Sequence, residues 1–180
     1  LSPYAVTKRL NEEYGKVYHK LHEMQTIGLR YFNVFGPKQD PNGVYAAAIP
    51  KFIDKMMNGE QLTINGDGEQ TRDFTFVKNA VKANVLALAT SNKDTFGSVF
   101  NVACGQYFSL NQVVGAIKES LIAHGKYNED CEIIHGPDRP GDIRDSLADI
   151  SLTTKQLGYE DLDLFEEGID VYLKMLCTDA

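Results

Sequence analysis

Two apolar periodicities alternate along the whole sequence, and a chain patterned in this way buries both only by packing helices against a sheet. Val6, Leu10, Tyr14, Val17 and Leu21 recur every three or four residues, a single helical stripe. Ser2 caps that helix and Pro3 fills its first turn, where a missing N–H costs nothing. Residues 26–35 (TIGLRYFNVF) are β-branched and aromatic and predict one buried strand, stopped by Gly36-Pro37. Ile49, Phe52, Ile53, Met56 and Met57 restore the helical spacing from about Pro50, and Gly59 ends it.

The alternation continues to the end of the chain. Residues 62–65 predict a short strand closed by the turn Gly66-Asp67-Gly68, and 72–77 another strand. A helix over 79–89 is expected to turn Val81, Val85 and Leu88 inward, and 98–103 form the next strand. Ser109 with Gln112 is a capping box, opening a helix that carries Val113, Val114, Ile117 and Leu121 to a stop at Gly125. A brief strand over 131–135 precedes a loop, 136–144, dense in charge, Gly and Pro. Two helical segments follow, 151–157 capped by Gly158 and about 164–176, the second with Asp163 and Glu166 spaced as a capping box. The pattern predicts an α/β protein with at least part of a parallel sheet. No repeat or clear linker interrupts it, and residues 37–44 are the best place for a crossing between subdomains.

Composition narrows what such a fold does. The 180 residues carry a formal net charge of −7 with no basic block, which argues against general nucleic-acid binding. No apolar run approaches the length that spans a bilayer. Cys104, Cys131 and Cys177 are far apart and the four histidines lack ligand spacing, so reduced thiols, a cytoplasmic location and no metal site are expected. The chain opens on Leu1, at a helix cap, and reads as a piece of something longer.

Four places hold polar groups that folding does not require. Tyr4 and Lys8 stand one helical turn apart, at the edge of the apolar stripe. A cation so close to a phenol favours the phenolate, which suits proton transfer, although solvated helices often carry the same spacing. Asn33 sits near the end of an apolar strand, where α/β sheets collect ligands, or else its amide satisfies the loop backbone. Arg72 beside Asp73 reads by default as an exposed ion pair. Arg139 and Asp142 flank Pro140-Gly141, which aims a guanidinium and a carboxylate into one space. An Arg fork suits a diphosphate and a carboxylate suits paired ribose hydroxyls, so together the four favour a nucleotide site.

Five motifs occur in order: Ser-Pro-Tyr-x-x-x-Lys (2–8), Gly-Leu-Arg-Tyr-Phe-Asn-Val-Phe-Gly-Pro (28–37), Ala-Ile-Pro-Lys-Phe (48–52), Asn-Gly-Asp-Gly (65–68) with Arg-Asp-Phe (72–74), and Arg-Pro-Gly-Asp (139–142). Over nearly its whole length the chain resembles the C-terminal part of an extended short-chain dehydrogenase/reductase of the nucleotide-sugar epimerase group. The run Asp-Pro-Asn-Gly-x-Tyr-Ala-Ala (40–47) makes it most similar to UDP-N-acetylglucosamine 4-epimerases.

The resemblance implies a partial Rossmann-type parallel sheet plus a small α/β substrate-binding domain. Residues 1–36 would close the dinucleotide-binding domain, and 37–180 would mainly bind UDP-sugar, with about 75–105 returning to the first domain. Tyr4 would be the acid/base at the sugar 4-hydroxyl, and Lys8 would hydrogen-bond the nicotinamide ribose of NAD. Phe32 would line the nicotinamide pocket. Asn33 would hold a phosphate, Ala48 and Phe52 would pack near the nucleotide, and Asn65 would sit at the uracil. Arg72 and Arg139 would clamp the diphosphate, and Asp142 would accept from the ribose. A homodimer paired through the first helix is implied as well.

The chain departs from the family in having no Gly-x-x-Gly-x-x-Gly turn. The Ser or Thr of the catalytic set would also lie before Leu1. The expectation is therefore a substrate-binding half, exposing apolar surface where further strands should pack. Competing expectations are a nucleotide-sugar 4,6-dehydratase of the same family and a non-catalytic UDP-sugar binding module.

Overall fold

The computed structural model describes residues 3–43, 47–139 and 141–178; Ser2, Tyr45 and Pro140 lie outside them. The chain alternates as the periodicities require. Helix α1 (Pro3–His22) leads into strands β1 (Ile27–Tyr31) and β2 (Val34–Phe35), then helix α2 (Ala48–Asn58) and strands β3 (Leu62–Asn65), β4 (Thr71–Arg72) and β5 (Thr75–Phe76). Helix α3 (Val77–Ala89), strands β6 (Ser98–Val102) and β7 (Phe108–Ser109), and helix α4 (Leu110–Ala123) follow. Strands β8 (Ile133–Gly136) and β9 (Asp145–Ser146) precede helices α5 (Ser151–Leu157) and α6 (Phe165–Thr178).

Pairing is mostly parallel. Strand β1 runs beside β6 with Ile27 opposite Ser98, β2 beside β5, and β3 beside β8. Strand β4 lies between antiparallel β7 and parallel β9. The main core fills the space between α2, α4, α6 and the strands around them, with Ile49, Met56, Leu62, Val113, Ile117, Leu121 and Ile169 all buried. Phe165 anchors α6 in an aromatic group, its ring centroid 5.5 Å from Phe35, 5.6 Å from Phe74 and 4.7 Å from Phe108. A second cluster under α3 joins Ala83, Val102 and Tyr159.

Four expectations from the sequence change. The strand foreseen over 26–35 is broken at Phe32 and Asn33, where Asn33 takes a φ of 30°, and its β1 half is only partly buried. Among the described residues β1 pairs with β6 alone, so one edge stays open. The strand foreseen over 72–77 is two short pieces in different sheets, because Asp73 between them turns into the interior.

Helix α3 buries Asn79, Ala80 and Ala83 rather than Val81, Val85 and Leu88, which are exposed. Small side chains let the helix approach closely, and the Asn79 amide donates to the Asp163 carbonyl (2.7 Å) while accepting from its N–H (3.0 Å). That bracket also removes Asp163 from the α6 cap. The Glu167 carboxylate accepts from the Leu164 N–H instead, at 2.9 Å. The α1 stripe is likewise uncovered, with Val6, Leu10, Tyr14, Val17 and Leu21 all exposed.

Two glycines in helices separate packing from propensity. A Cβ on Gly168 of α6 would stand 2.8 Å from the Phe35 ring and 2.9 Å from that of Phe76, whereas one on Gly115 of α4 meets nothing within 4 Å. Gly168→Ala is expected to lose about 1–3 kcal/mol to overpacking. Gly115→Ala should gain about 0.5–1 kcal/mol from helix propensity. Urea unfolding of both variants reads the opposite signs.

Candidate functional site

Residues at strand ends, in the loops leaving them and on α2 line a cavity of about 360 Å³. Asn33 enters it from the break between β1 and β2, Ala48 and Phe52 from α2, Asn65 from the end of β3, and Arg72 from β4. Arg139 and Asp142 enter from the loop joining β8 to β9. The seven residues expected at a nucleotide thus line one cavity. Two neighbouring hollows, of about 410 and 240 Å³, share Arg139 and Asp142 with it.

Charge within the cavity is ordered by a few strong contacts. Arg72, its side chain only 16% exposed, sets Nη2 2.6 Å from Asp142 Oδ1. Its Nη1 donates to the carbonyls of Thr71 (2.7 Å) and Arg144 (3.3 Å). Asp142 also accepts from the Ile143 N–H, and its own N–H donates to the Arg139 carbonyl. Among the described residues Arg139 forms no ion pair, so its charge is unspent. Asn33 donates from Nδ2 to the Asp73 carbonyl at 2.8 Å, the backbone role weighed against a ligand role in the sequence, and the second amide hydrogen remains. The Asn65 carbonyl accepts from Gln70 Nε2 at 2.8 Å, and the buried Gln70 Oε1 has no partner.

Arg72 and Asp73 are not the exposed pair that the sequence suggests. Alternation across the strand sends their side chains opposite ways. Arg72 faces the cavity, and Asp73 is fully buried, accepting from the N–H groups of Cys104 (3.0 Å), Gly105 (3.0 Å) and Ala148 (3.5 Å). Burial pushes the Asp73 carboxyl up, and those three bonds pull it part of the way back. The Cys104 thiol is pushed up to about 11, first by burial and then by the Asp73 charge.

Asp67, Gln70 and Arg144 support the site without having been singled out in the sequence. Arg144 forks onto Asp67 through bonds of 2.8 and 2.9 Å, tying the start of β9 to the turn after β3. In the sequence Asp67 is marked only by the turn Gly66-Asp67-Gly68 and the 65–68 motif, and Arg144 only by the run of charge before β9.

Tyr4 and Lys8 stand elsewhere. They line an open cleft of about 860 Å³ between α1 and β1, which among the described residues shares no lining residue with the cavity above. Lys8 Nζ lies 5.3 Å from the centre of the Tyr4 ring. Tyr4 is 70% exposed, and Glu12 and Arg30 form a two-bonded ion pair across the same cleft, at 2.5 and 2.6 Å. Phe32 is half-buried, donates its N–H to the Val102 carbonyl, and is not among the residues lining either hollow. Chemically, one place offers a phenol beside an ammonium, and the other offers two guanidinium groups and a carboxylate against apolar α2.

A sequence profile of the NAD dependent epimerase/dehydratase family matches residues 1–103. A putative UDP-glucose 4-epimerase of Methanocaldococcus jannaschii is 38% identical over 170 residues, 94% of this chain and 51% of that relative. The structure of UDP-N-acetylglucosamine 4-epimerase from Methanobrevibacter ruminantium, in complex with UDP-N-acetylmuramic acid, superposes with a TM-score of 0.87 at 40% identity. That match covers 99% of this chain and 55% of the neighbour. UDP-glucose 4-epimerase from Thermotoga maritima, with UDP-glucose, gives a TM-score of 0.87 at 32% identity, covering 99% and 54%. The chain spans about half the length of the curated relatives it matches.

The Arg144 fork holds the Asp67 carboxyl below its usual range, helped by the Glu69 N–H. Because the folded value is depressed, the pair stabilises the fold above the unfolded value of about 3.9 and is lost as pH falls through the folded value. A carboxyl-carbon NMR titration should place the Asp67 midpoint below that of a model peptide, and Arg144→Gln should move it back up.

Proposed function

The chain belongs to the NAD dependent epimerase/dehydratase family, and on that premise we propose that it forms the substrate-binding part of a UDP-hexose 4-epimerase. We assign it the pair UDP-N-acetylglucosamine and UDP-N-acetylgalactosamine, ahead of UDP-glucose and UDP-galactose. The observation that carries this reading is the single cavity in which Asn33, Ala48, Phe52, Asn65, Arg72, Arg139 and Asp142 meet. The N-acetylated pair is favoured by the run over 40–47 and by the 4-epimerase of Methanobrevibacter ruminantium, a protein named for that sugar.

In this assignment Arg72 and Arg139 bind the two phosphates, and an otherwise acidic protein concentrates positive charge where the ligand is negative. Arg72 arrives pre-aimed by two carbonyls and Asp142, so it loses little freedom on binding. Asp142 has a second oxygen for a ribose hydroxyl. Asn65 meets the base, Ala48 and Phe52 cover the nucleoside, and Asn33 gives its remaining amide hydrogen to a phosphate.

Tyr4 takes the proton of the sugar 4-hydroxyl, with Lys8 favouring its phenolate. The chemistry that bound NAD would supply is a hydride acceptor and donor at sugar C4. Tyr4 and Lys8, open to their cleft, fit the nicotinamide-ribose end of NAD; the assignment of Phe32 to the ring rests on the family resemblance alone. The sequence holds no glycine-rich turn, so no residue here is assigned to the pyrophosphate. Residues 1–36 and about 75–105 belong, on this account, to the dinucleotide side.

A cytoplasmic location goes with this substrate. The exposed apolar faces of α1 and α3 are assigned in part to pairing of two copies; sedimentation of the full-length protein as a monomer would remove that assignment. The family also holds dehydratases, whose product from the same substrate class differs.

The test is turnover by the full-length protein with UDP-N-acetylglucosamine, followed through the anomeric protons by NMR. The 4-epimer should appear without net reduction of NAD. A 4-keto-6-deoxy sugar would move the protein to the dehydratases, and UDP binding without any turnover would leave a binding module. Tyr4→Phe should abolish turnover and keep UDP affinity. Arg139→Ala should weaken UDP binding by about 1.5–3 kcal/mol, a charge-assisted hydrogen bond's worth.

A further inference from the structure

Asp73 lines no part of the cavity, yet the elements that shape the cavity meet on it. Its Oδ1 accepts from the Cys104 N–H, and its Oδ2 from those of Gly105 and Ala148. Its own carbonyl accepts from Asn33 Nδ2, and two residues on, the Thr75 N–H donates to the Asn33 carbonyl at 3.2 Å. One residue back stands Arg72. The short crossing between β4 and β5 is therefore fixed from inside by a carboxylate, with the cavity-lining Arg72 at its start and the cavity-lining Asn33 hydrogen-bonded to its backbone.

An apolar residue would fill this place at less desolvation cost, because Asp73 is fully buried and among the described residues has no cationic partner. Its polar surroundings are the Cys104 thiol, the Asn79 amide bound to that sulfur, and the buried Tyr159 hydroxyl, which has no hydrogen-bond partner among the described residues. None of these neutralises it. Three backbone N–H groups from two separate loops hydrogen-bond it instead, and an apolar side chain would leave all three without this acceptor.

We propose that Asp73 is a positioning residue of the substrate site, whose buried carboxylate locks the β4–β5 crossing onto the loops at Cys104–Gly105 and Ala148 and so aims Arg72 and Asn33 at the diphosphate. The proposal rests on the assignment of the diphosphate to Arg72. A displacement of the crossing would carry the Arg72 backbone with it and disturb the Thr71, Arg144 and Asp142 contacts that orient its guanidinium. A purely structural role would lower stability alone.

Calorimetric titration of the full chain with UDP separates the two, well below each variant's melting temperature and corrected for folded fraction. Asp73→Asn keeps the volume and replaces one acceptor by a donor facing backbone N–H groups. It should weaken UDP binding by about tenfold or more. Leu121→Ala, a core truncation in α4, should lower the melting temperature and leave affinity as in the unmodified chain. Unchanged affinity in folded Asp73→Asn overturns the proposal while the site assignment stands. Unchanged affinity in Arg72→Ala overturns the site assignment and the proposal with it.

If Asp73→Asn does not fold, the unmodified chain decides. Coupling is reciprocal, so saturating UDP should slow hydrogen exchange at the Cys104 and Gly105 amides more than at the α4 amides. Equal slowing overturns the proposal.

Discussion

Arg72 and Asp142 are distant in sequence and 2.6 Å apart in space, and the shape of the cavity depends on that contact. The loop between β8 and β9 has no core of its own; it is flanked by charge and exposed for most of its length. What returns it to the body is one partly buried ion pair with Arg72, an outer ion pair between Arg144 and Asp67, and two residues of parallel pairing with β4. Exposed pairs contribute little stability, so the outer one sets a position more than it holds the fold. The inner one, with the Arg72 side chain largely screened from solvent, keeps a guanidinium and a carboxylate facing a hollow rather than collapsing onto apolar α2.

The broken strands serve the same geometry. A continuous strand from Thr26 to Phe35 would alternate its side chains regularly and keep Asn33 in the ladder. With φ at 30°, Asn33 instead ends one parallel pair and begins another, and its amide reaches the Asp73 carbonyl. The split between β4 and β5 lies beside it, since Val34 of β2 stands opposite Thr75 of β5. The two interruptions meet at the cavity that Asn33, Arg72 and Phe74 line. The aromatic group around Phe165 and the close seat of Gly168 on Phe35 and Phe76 make the floor beneath them rigid.

Much of this was legible in the sequence, for identifiable reasons. The α2 and α4 helices carried strong apolar spacing and their own stop or cap signals, Gly59 and the Ser109–Gln112 box, and the structure has both. Of the seven cavity residues, Asn33, Arg72, Arg139 and Asp142 stood out as polar groups that folding does not require, and Ala48, Phe52 and Asn65 came from motif resemblance, which encodes spatial proximity that periodicity cannot. Helix α3 was given the wrong inward face because Val81, Val85 and Leu88 look like a core stripe. The true core side is made of alanines and an asparagine whose value lies in close approach and a bracketed backbone. Asp73 was mistaken for half of a surface pair. The signal that could have corrected this was its place between Arg72 and the apolar run Phe74–Val77, where a charge has no solvent to face.

The two chemically equipped places, the Tyr4–Lys8 cleft and the arginine-bearing cavity, share no lining residue. They are linked through β1 and the Asn33 break, and in the proposed assignment one extended ligand serves both, with its anionic centre at the arginines and its reacting end toward Tyr4. A UDP-sugar has that form. The most direct test is a crystal structure of the protein grown with UDP. The account predicts the diphosphate between Arg72 and Arg139, with the ribose against Asp142 and the base beside Asn65. UDP seated elsewhere, or a fully occupied nucleotide whose phosphates touch neither arginine, would contradict it.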